Sequence, residues 1–582
     1  MSAAMTYQKL EHIRQQAKGD FTIIRPTMIE VGSWILPHRN SFMVGQTKGQ
    51  RVNRHIVDTT HLTAHRSFVA GHSEGNTSST RPWFRHAHGN PDINRKPENR
   101  KWLDMLTMRV HALFTGSNFY NAAGVFYGDY GCYNTGAHWV EELEPYGIHV
   151  HTLEPGSYFV LNDRFGQAEV MVREFDLTVR QIVQRYGKLS DNGQRDWSNF
   201  SKRVKELWER GDYATKIGVV HVNMLNDDFN PKEPVGGDNR QYVSYHYESG
   251  MNFADSGNYV DGMLFNPPEH FGTGKPMVFL KKEYSIRKPT IVGRTESAGF
   301  PYGLKGSGTD ALGAIKSLNK KAISKDVAIE KAIDPTFQGP NNVNKTYLTN
   351  QARRYIGLDA TALAQGGIKT IYDLTPAVNL LNGDVSDLRQ QVSKLFFEDY
   401  LLFLTANPKT RTAEETKAVV NEQQLVIGPN LQSLNWSYNV PLVEYGTNYV
   451  IENDPFLPPP PPDLQGQFLR IEMISVFAQA QRSADLPNID SFMQRVIGLA
   501  PITPGVLQKA NVDAYLDLLE DRLYLPAGLN RGQAEVDQMR EAAQAQLQRQ
   551  QMMQETIPAM ATAEKDMAMA ERQNQSTPSQ LG

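Results

Sequence analysis

Residues 302–335, YGLKGSGTDALGAIKSLNKKAISKDVAIEKAIDP, constrain the fold of this chain most. A glycine-loosened approach leads into one long amphipathic helix. Thr309 and Asp310 follow Gly308, where a side-chain oxygen can cap the first free amides. Leu312, Ile315, Leu318, Ala322, Ile329 and Ile333 then recur at helical spacing. Lys316, Lys320, Lys321 and Lys325 fall largely off that stripe. Asp334-Pro335 ends the helix, because proline drives its predecessor out of the α region. At 1.5 Å per residue the span is about 38 Å, which suits a strut.

A second long helix is predicted over 384–405. Asp384 or Ser386 can cap it, and Leu388, Val392, Leu395, Phe396, Leu402 and Phe403 give it an apolar face. It would lie antiparallel to the first. Between them, 336–383 is rich in Gly, Pro, Asn and Thr, with short strand-like pieces at 345–349 and 368–374; it reads as a small insertion. Pro408 breaks the second helix, and Thr412 with Glu415 can open a new one as a capping box. The polar turn between them carries Asn407, Lys409 and Arg411.

The remaining pattern is α+β. Residues 7–18 read as a short polar helix. Asp58 or Thr59 can cap another that Gly71 would stop. Two more are predicted over 101–114 and 118–133. From 137 to 172, short apolar runs split by turn residues predict an antiparallel meander. A helix capped near Thr178 and stopped at Gly187 follows, then a helical stretch to Glu209. Further strands are predicted at 216–225, 242–249 and 277–285. Residues 451–466, with Pro458 to Pro462, read as a stiff polyproline spacer. Beyond it comes a series of short helices cut by Pro487, Pro501, Pro504 and Pro526, then a Gln-, Ala- and Met-rich helix over 533–555. The tail after Pro558 is expected to be disordered at its tip.

Composition narrows the chemistry. The formal net charge of −3 over 582 residues excludes a strongly basic nucleic-acid binder. It leaves open a conduit along which DNA must slide rather than be gripped. One cysteine, Cys132, allows no intrachain disulfide and fits assembly in a reducing cytosol. There is no apolar N-terminal run of signal-peptide type, and no stretch of about 18 uninterrupted apolar residues that would cross a membrane. His61 and His65 share a helical face and His86-x-His88 follows, but no acidic or cysteine motif completes a metal site. FGTGKP, 271–276, fails as a phosphate loop: its first glycine is missing and Pro276 replaces Ser or Thr. No catalytic residues and no cofactor emerge.

Several of these segments occur in a familiar order. Trp34, Ile-x-Pro-x-Arg, Asp-x-Thr, a helix and Trp83-Phe84 come first, and Ser-Asn-Phe at 117–119 follows. Next are Pro-Tyr-Gly at 301–303 and DALGAIKSLN at 310–319. Near the C-terminus stand Phe-Ala-Gln-Ala-Gln, Asn-Val-Asp and Leu-x-x-Pro-x-Gly-Leu. The chain so resembles the portal (head-to-tail connecting) proteins of short-tailed bacteriophages over roughly 34–541. The resemblance implies an α+β portal fold. Its parts would be a wing (1–305), stem helix 1 (306–334), a clip (335–383), stem helix 2 (384–405) and a tunnel loop (406–412). The rest of the wing with the proline linker (413–463), a helical crown (464–555) and a flexible tail (556–582) would complete it. It implies a non-enzymatic ring, expected to be a dodecamer, at one vertex of the virion, assembled in the host cytoplasm for DNA packaging, ejection and tail attachment. Double-stranded DNA, the major capsid protein, scaffolding protein, terminase, tail adaptor and internal ejection proteins would be its partners, with no membrane. Lys409, Arg411, Asn407, Lys316 and Lys320 would face DNA, and Arg353 and Arg354 would serve docking at the clip. A metal-dependent or hydrolytic enzyme using the N-terminal histidines, or another virion structural protein, is the alternative.

Overall fold

A computed structural model describes residues 3–40, 52–189, 193–249, 279–296, 299–333, 337–338, 360–364, 369–370, 374–398, 428–474, 486–499, 515–516, 519 and 533–574. The chain divides into two compact units. The first comprises 1–85, 106–457 and 471–484; the second comprises 86–105, 458–470 and 485–582. As expected, helix and sheet are mixed.

The first unit opens with helix α1, Ala3–Ile35, far longer than the stretch 7–18 expected. Tyr7, Leu10, Ala17, Phe21, Ile24, Met28, Val31 and Ile35 are all buried, at alternating threes and fours once Arg14 fills the one gap. Pro26 lies on the exposed side within the helix. An interior proline costs about 3 kcal/mol. Each large apolar side chain buried gains about 1.5–3 kcal/mol, so the stripe outweighs the break.

Helix α2, Thr60–Gly75, passes through Gly71, because that residue sits on the buried face with His61, Ala64, His65, Phe68 and His72. The Asp58 carboxylate accepts from the Thr60 amide at its start, 2.9 Å. Helices α3, Pro97–Thr115, and α4, Phe119–Tyr133, match expectation closely. Asn134 ends α4 in the left-handed region, φ 60°.

The expected meander is real in its strands but is divided between two sheets. Strands β1, Thr135–Glu142, and β2, Ile148–Thr152, pair with each other, and β8, Thr290–Arg294, joins them on the other edge of β1. Strands β3, Tyr158–Asn162, and β4, Ala168–Thr178, pair instead in a second antiparallel sheet. That sheet continues through β5, Lys216–Leu225, β6, Tyr242–Glu248, and β7, Lys281–Ser285, in the order β7-β6-β5-β4-β3. Alternation along a strand cannot reveal such a split, because it marks the buried face and not the neighbour. Helix α1 lies against this sheet, with Tyr7 edge-on to Tyr247 and Phe21 to Phe159, both 5.3 Å between centroids.

Helix α5, Val179–Tyr186, carries the expected cap: Thr178 and Gln181 form a reciprocal capping box. Helix α6, Lys202–Glu209, is capped by Ser201. Val179, Ile182, Val183, Tyr186 and Val204 close over Ile217 and Val219 of the five-stranded sheet.

Helix α7, Ser307–Ile333, falls where the sequence puts it. Its antiparallel partner α8 is Thr375–Leu395, so it starts nine residues before Asp384, with Pro376 in its first turn. Proline there forfeits no ladder bond. The Lys321–Asp384 ion pair, 2.8 Å, ties the two helices. Phe397 takes a positive φ of 54° just past the end of α8. Leu402 and Phe403, the Thr412–Glu415 box and the strand-like piece 345–349 lie outside the described residues. Within the insertion, Phe337–Gln338 pairs antiparallel with Lys369–Thr370. A π-helical turn, Asn435–Asn439, leads into helix α9, Val440–Asn453.

In the second unit the proline stretch is anchored rather than free. Trp102 Nε1 donates to the Pro458 carbonyl, 2.9 Å, and Lys96 and Asn99 both reach Asp463. Pro461 keeps polyproline geometry, φ −54° and ψ 154°. Helix α10 is Leu486–Leu499, and α11 runs over Gln533–Asn574. Residues 556–574, expected in a flexible tail, are therefore helical; the Ala, Met, Glu and Gln that fill them are strong helix formers. No described helix is long and apolar enough to cross a membrane.

Candidate functional site

The approach to α7 is tight, not loose. A Cβ on Gly308 would stand 2.2 Å from the Cys132 carbonyl oxygen, and one on Gly303 would stand 2.3 Å from that of Asn134. On Gly306 it would meet the Asn134 side chain at 2.3 Å. The glycines let this backbone lie directly on the end of α4. Asn134 Nδ2 donates to Thr309 Oγ1, 3.0 Å, and that hydroxyl donates to the Gly306 carbonyl, 3.0 Å. Thr309 thus fastens the first turn from inside the helix rather than capping it from outside.

Arg294, on β8, fixes the same approach. Its buried guanidinium donates to Asn162 Oδ1 (2.7 Å) and to the carbonyls of Pro301 (2.8 Å), Phe300 (3.3 Å) and Gly166 (2.5 Å). Burial pulls it down to about 10. Its backbone accepts from Ser433 Oγ and donates to Ser437 Oγ, at 2.8 and 3.1 Å, ahead of α9. One residue therefore joins the segment before α7 to the segment before α9.

The helix pair is pinned at Asp58. Arg389 of α8 gives both Nε and Nη2 to Asp58 Oδ2, at 2.9 and 2.8 Å. Asn319 of α7 accepts from the Val57 and Asp58 amides through Oδ1, at 2.8 and 2.9 Å. Burial pushes the Asp58 carboxyl up, but the Thr60 bonds and Arg389 outweigh it and hold it below the usual range. Buried residues of α7 are Ser307, Gly308, Ala311, Ile315, Leu318 and Asn319, and none lies beyond. Ile323, Val327 and Ile333 are exposed, as is Leu380 of α8.

Of the residues assigned to DNA contact, Lys316 is ion-paired with Glu30 and Lys320 is exposed on α7. Asn407, Lys409 and Arg411, and likewise Arg353 and Arg354, lie outside the described residues. His61 and His65 hydrogen-bond within the fold. His61 Nε2 donates to the Trp34 carbonyl, 3.0 Å, and His65 Nε2 to that of Gly128, 2.9 Å. Burial drives the His65 imidazole down to about 4. In the second unit His86 is buried, and His88 Nδ1 accepts from the Asn90 amide, 3.0 Å. No group of three metal-ligating side chains occurs among the described residues. Sequence reasoning missed Arg294, Arg389 and Asn319 as joints. Asn319, polar on the apolar face of α7, was the one visible signal.

The chain is 29% identical over 545 residues to the portal protein of Salmonella phage epsilon15, covering 92% of this chain and 91% of that one. It is 27% identical over 497 residues to the probable portal protein of Bordetella phage BPP-1, covering 85% and 83%. The profile of the bacteriophage head to tail connecting protein family matches residues 7–263 and 278–529, so the chain belongs to that family.

Proposed function

We propose that this chain is a portal subunit. Many copies close into a ring at one capsid vertex, through which DNA is packaged and ejected and to which the tail attaches. The observation that carries this reading is the helix pair. Among the described residues α8 packs along α7, whose distal half leaves Ile323 and Val327 exposed, a face that a neighbouring copy would cover. Repetition about a closed axis turns such pairs into the wall of a tube.

In this reading α7 and α8 are the stem, and the insertion between them is the clip, where Arg353 and Arg354 serve motor and adaptor docking. Residues 406–412 are the tunnel loop, with Asn407, Lys409 and Arg411 meeting phosphate. Lys320 is better placed than Lys316 to meet DNA, because Glu30 already neutralises Lys316. Residues 464–555 form the crown, and a dodecamer is the expected copy number. The ring contacts the major capsid and scaffolding proteins outside and internal ejection proteins within. The subunit acts by shape and charge, without catalysis.

Negative-stain imaging of the purified chain tests this directly. Rings of about twelve copies with a central hole are expected, and a monomer at every concentration would overturn the reading. Charge reversal at Lys409 and Arg411 should then impair packaging while rings still form. Loss of the rings themselves would make that loop structural.

A further inference from the structure

The five-stranded sheet carries an unusual row across four of its strands. In register stand Lys281 (β7), His246 (β6), His221 (β5) and Arg173 (β4). Residues directly opposite in an antiparallel sheet share a face, so four potential cations stand side by side. The two in the middle are sealed: His221 is 1% exposed and His246 4%. Their rings stack at 3.9 Å and 11°. Trp139 of β1 closes edge-on over His221, 4.4 Å, and the Tyr186 hydroxyl of α5 meets His246 Nδ1, 3.1 Å. Neither ring nitrogen of His221 has a hydrogen-bond partner among the described residues. The other charged groups acting on the pair are Arg185 on α5 and Glu141 on β1; His151 on β2 contacts Glu141, and Glu283 is ion-paired with Lys281. Glu141 is already engaged by His151 (3.3 Å) and Arg185 (3.0 Å), so little negative charge remains for a new cation.

We infer that this row is a proton-operated latch. It holds α5 and the three-stranded sheet onto the five-stranded sheet while the two imidazoles are neutral, and releases them when a proton arrives. A proton on either ring adds a buried cation between Arg173 and the Lys281–Glu283 pair, and a second proton sets two imidazolium rings face to face. The solvent-accessible, opened state accepts those protons freely.

The direction of the pH dependence follows. Burial lowers both imidazoles, His246 to about 3 from an ordinary 6.5, so the opened state binds more protons than the closed state between those values. Closure is therefore favoured above pH 6.5 and lost progressively as pH falls below it. Each histidine that takes up a proton on opening multiplies the opening constant by up to about tenfold per pH unit, and the pair by up to about a hundredfold.

Hydrogen exchange of the assembled full-length protein from pH 7.5 to 4.5, corrected for intrinsic rates, tests the latch. Peptides covering 216–225 and 242–248 should open more steeply with acid than one covering 440–453, which holds no histidine and hydrogen-bonds to none among the described residues. The double variant His221→Phe with His246→Phe, which keeps the stack and removes the protons, should flatten that slope. An unchanged slope in the double variant, or a parallel rise in all three peptides of the parent, would overturn the proposal. If the double variant does not assemble, the single His221→Phe variant decides: the slope must fall by about one proton, and a slope equal to the parent's sinks the idea.

Discussion

Helix α4 is buried on eleven of its fifteen residues, whereas helix α7 is buried on six of twenty-seven, all in its first half. The two meet at one place, because the glycine approach of α7 lies on the end of α4. The first is held entirely by its own chain. Phe126 stacks on Tyr438 at 3.8 Å, and Phe119 stands near Phe114 and Trp83, at 4.9 and 6.2 Å. The second has no buried residue after Asn319, and among the described residues α8 runs beside it. The difference teaches that the root of α7 is packed within one copy, whereas its far end buries no residue there.

The largest effect should come from breaking the shared root. Gly308→Ala sets a methyl against the Cys132 carbonyl and should cost about 1–3 kcal/mol, read as a lower urea midpoint. Gly313→Ala, five residues on and facing open space, should be stabilising by about 0.5–1 kcal/mol. Equal effects would erase the contrast between root and shaft.

Next comes the pin. Asp58→Ala removes the partner of Arg389 and the bond to the Thr60 amide. A loss of about 1–2 kcal/mol is expected, modest because the Arg389 side chain is 52% exposed. Since the Asp58 carboxyl is held low in the fold, its contribution is present above its unfolded value near 3.8 and is lost as pH falls through the folded one. The stability difference between parent and variant should therefore vanish in strong acid, and a difference that persists there would assign the loss to packing instead.

Smaller still, for the single chain, is the far end. Ile323→Ser with Leu380→Ser should change the unfolding free energy by less than about 0.5 kcal/mol, as exposed positions do. The same pair should lower the yield of assembled rings on a sizing column. Parent-like assembly would show that the far end needs no neighbour. The smallest effect is at Cys132. Burial raises its thiol well above the usual range, so no labelling by a thiol reagent is expected until the protein is denatured.

The sequence was most legible where a local signal and the tertiary demand agreed. Helix α7 has periodic apolar residues and a proline just past its end, and α5 has its Thr178–Gln181 box; both were placed to within a residue or two. Helix α1 runs well past the expected end at Lys18, because the buried stripe from Phe21 to Ile35 continues beyond Gly19-Asp20 and across Pro26. Helix α8 was started late because Asp384 and Ser386 look like caps, while Thr375-Pro376 carries the true onset. The joints were least legible. Asp58 and Arg389 stand 331 residues apart, and the cation row needs four strand registers at once. Neither follows from spacing within one segment.

Arg294 reaches four oxygens in the fold, and none belongs to a carboxylate. Asp163 is its nearest counter-charge but accepts none of those bonds, and a cation buried on neutral dipoles offers dissolved ions little to shield. Raising ionic strength should thus leave the root of α7 as firm as before, while the half-exposed Arg389–Asp58 tie slackens. In brine, the strut would swing from a fixed base.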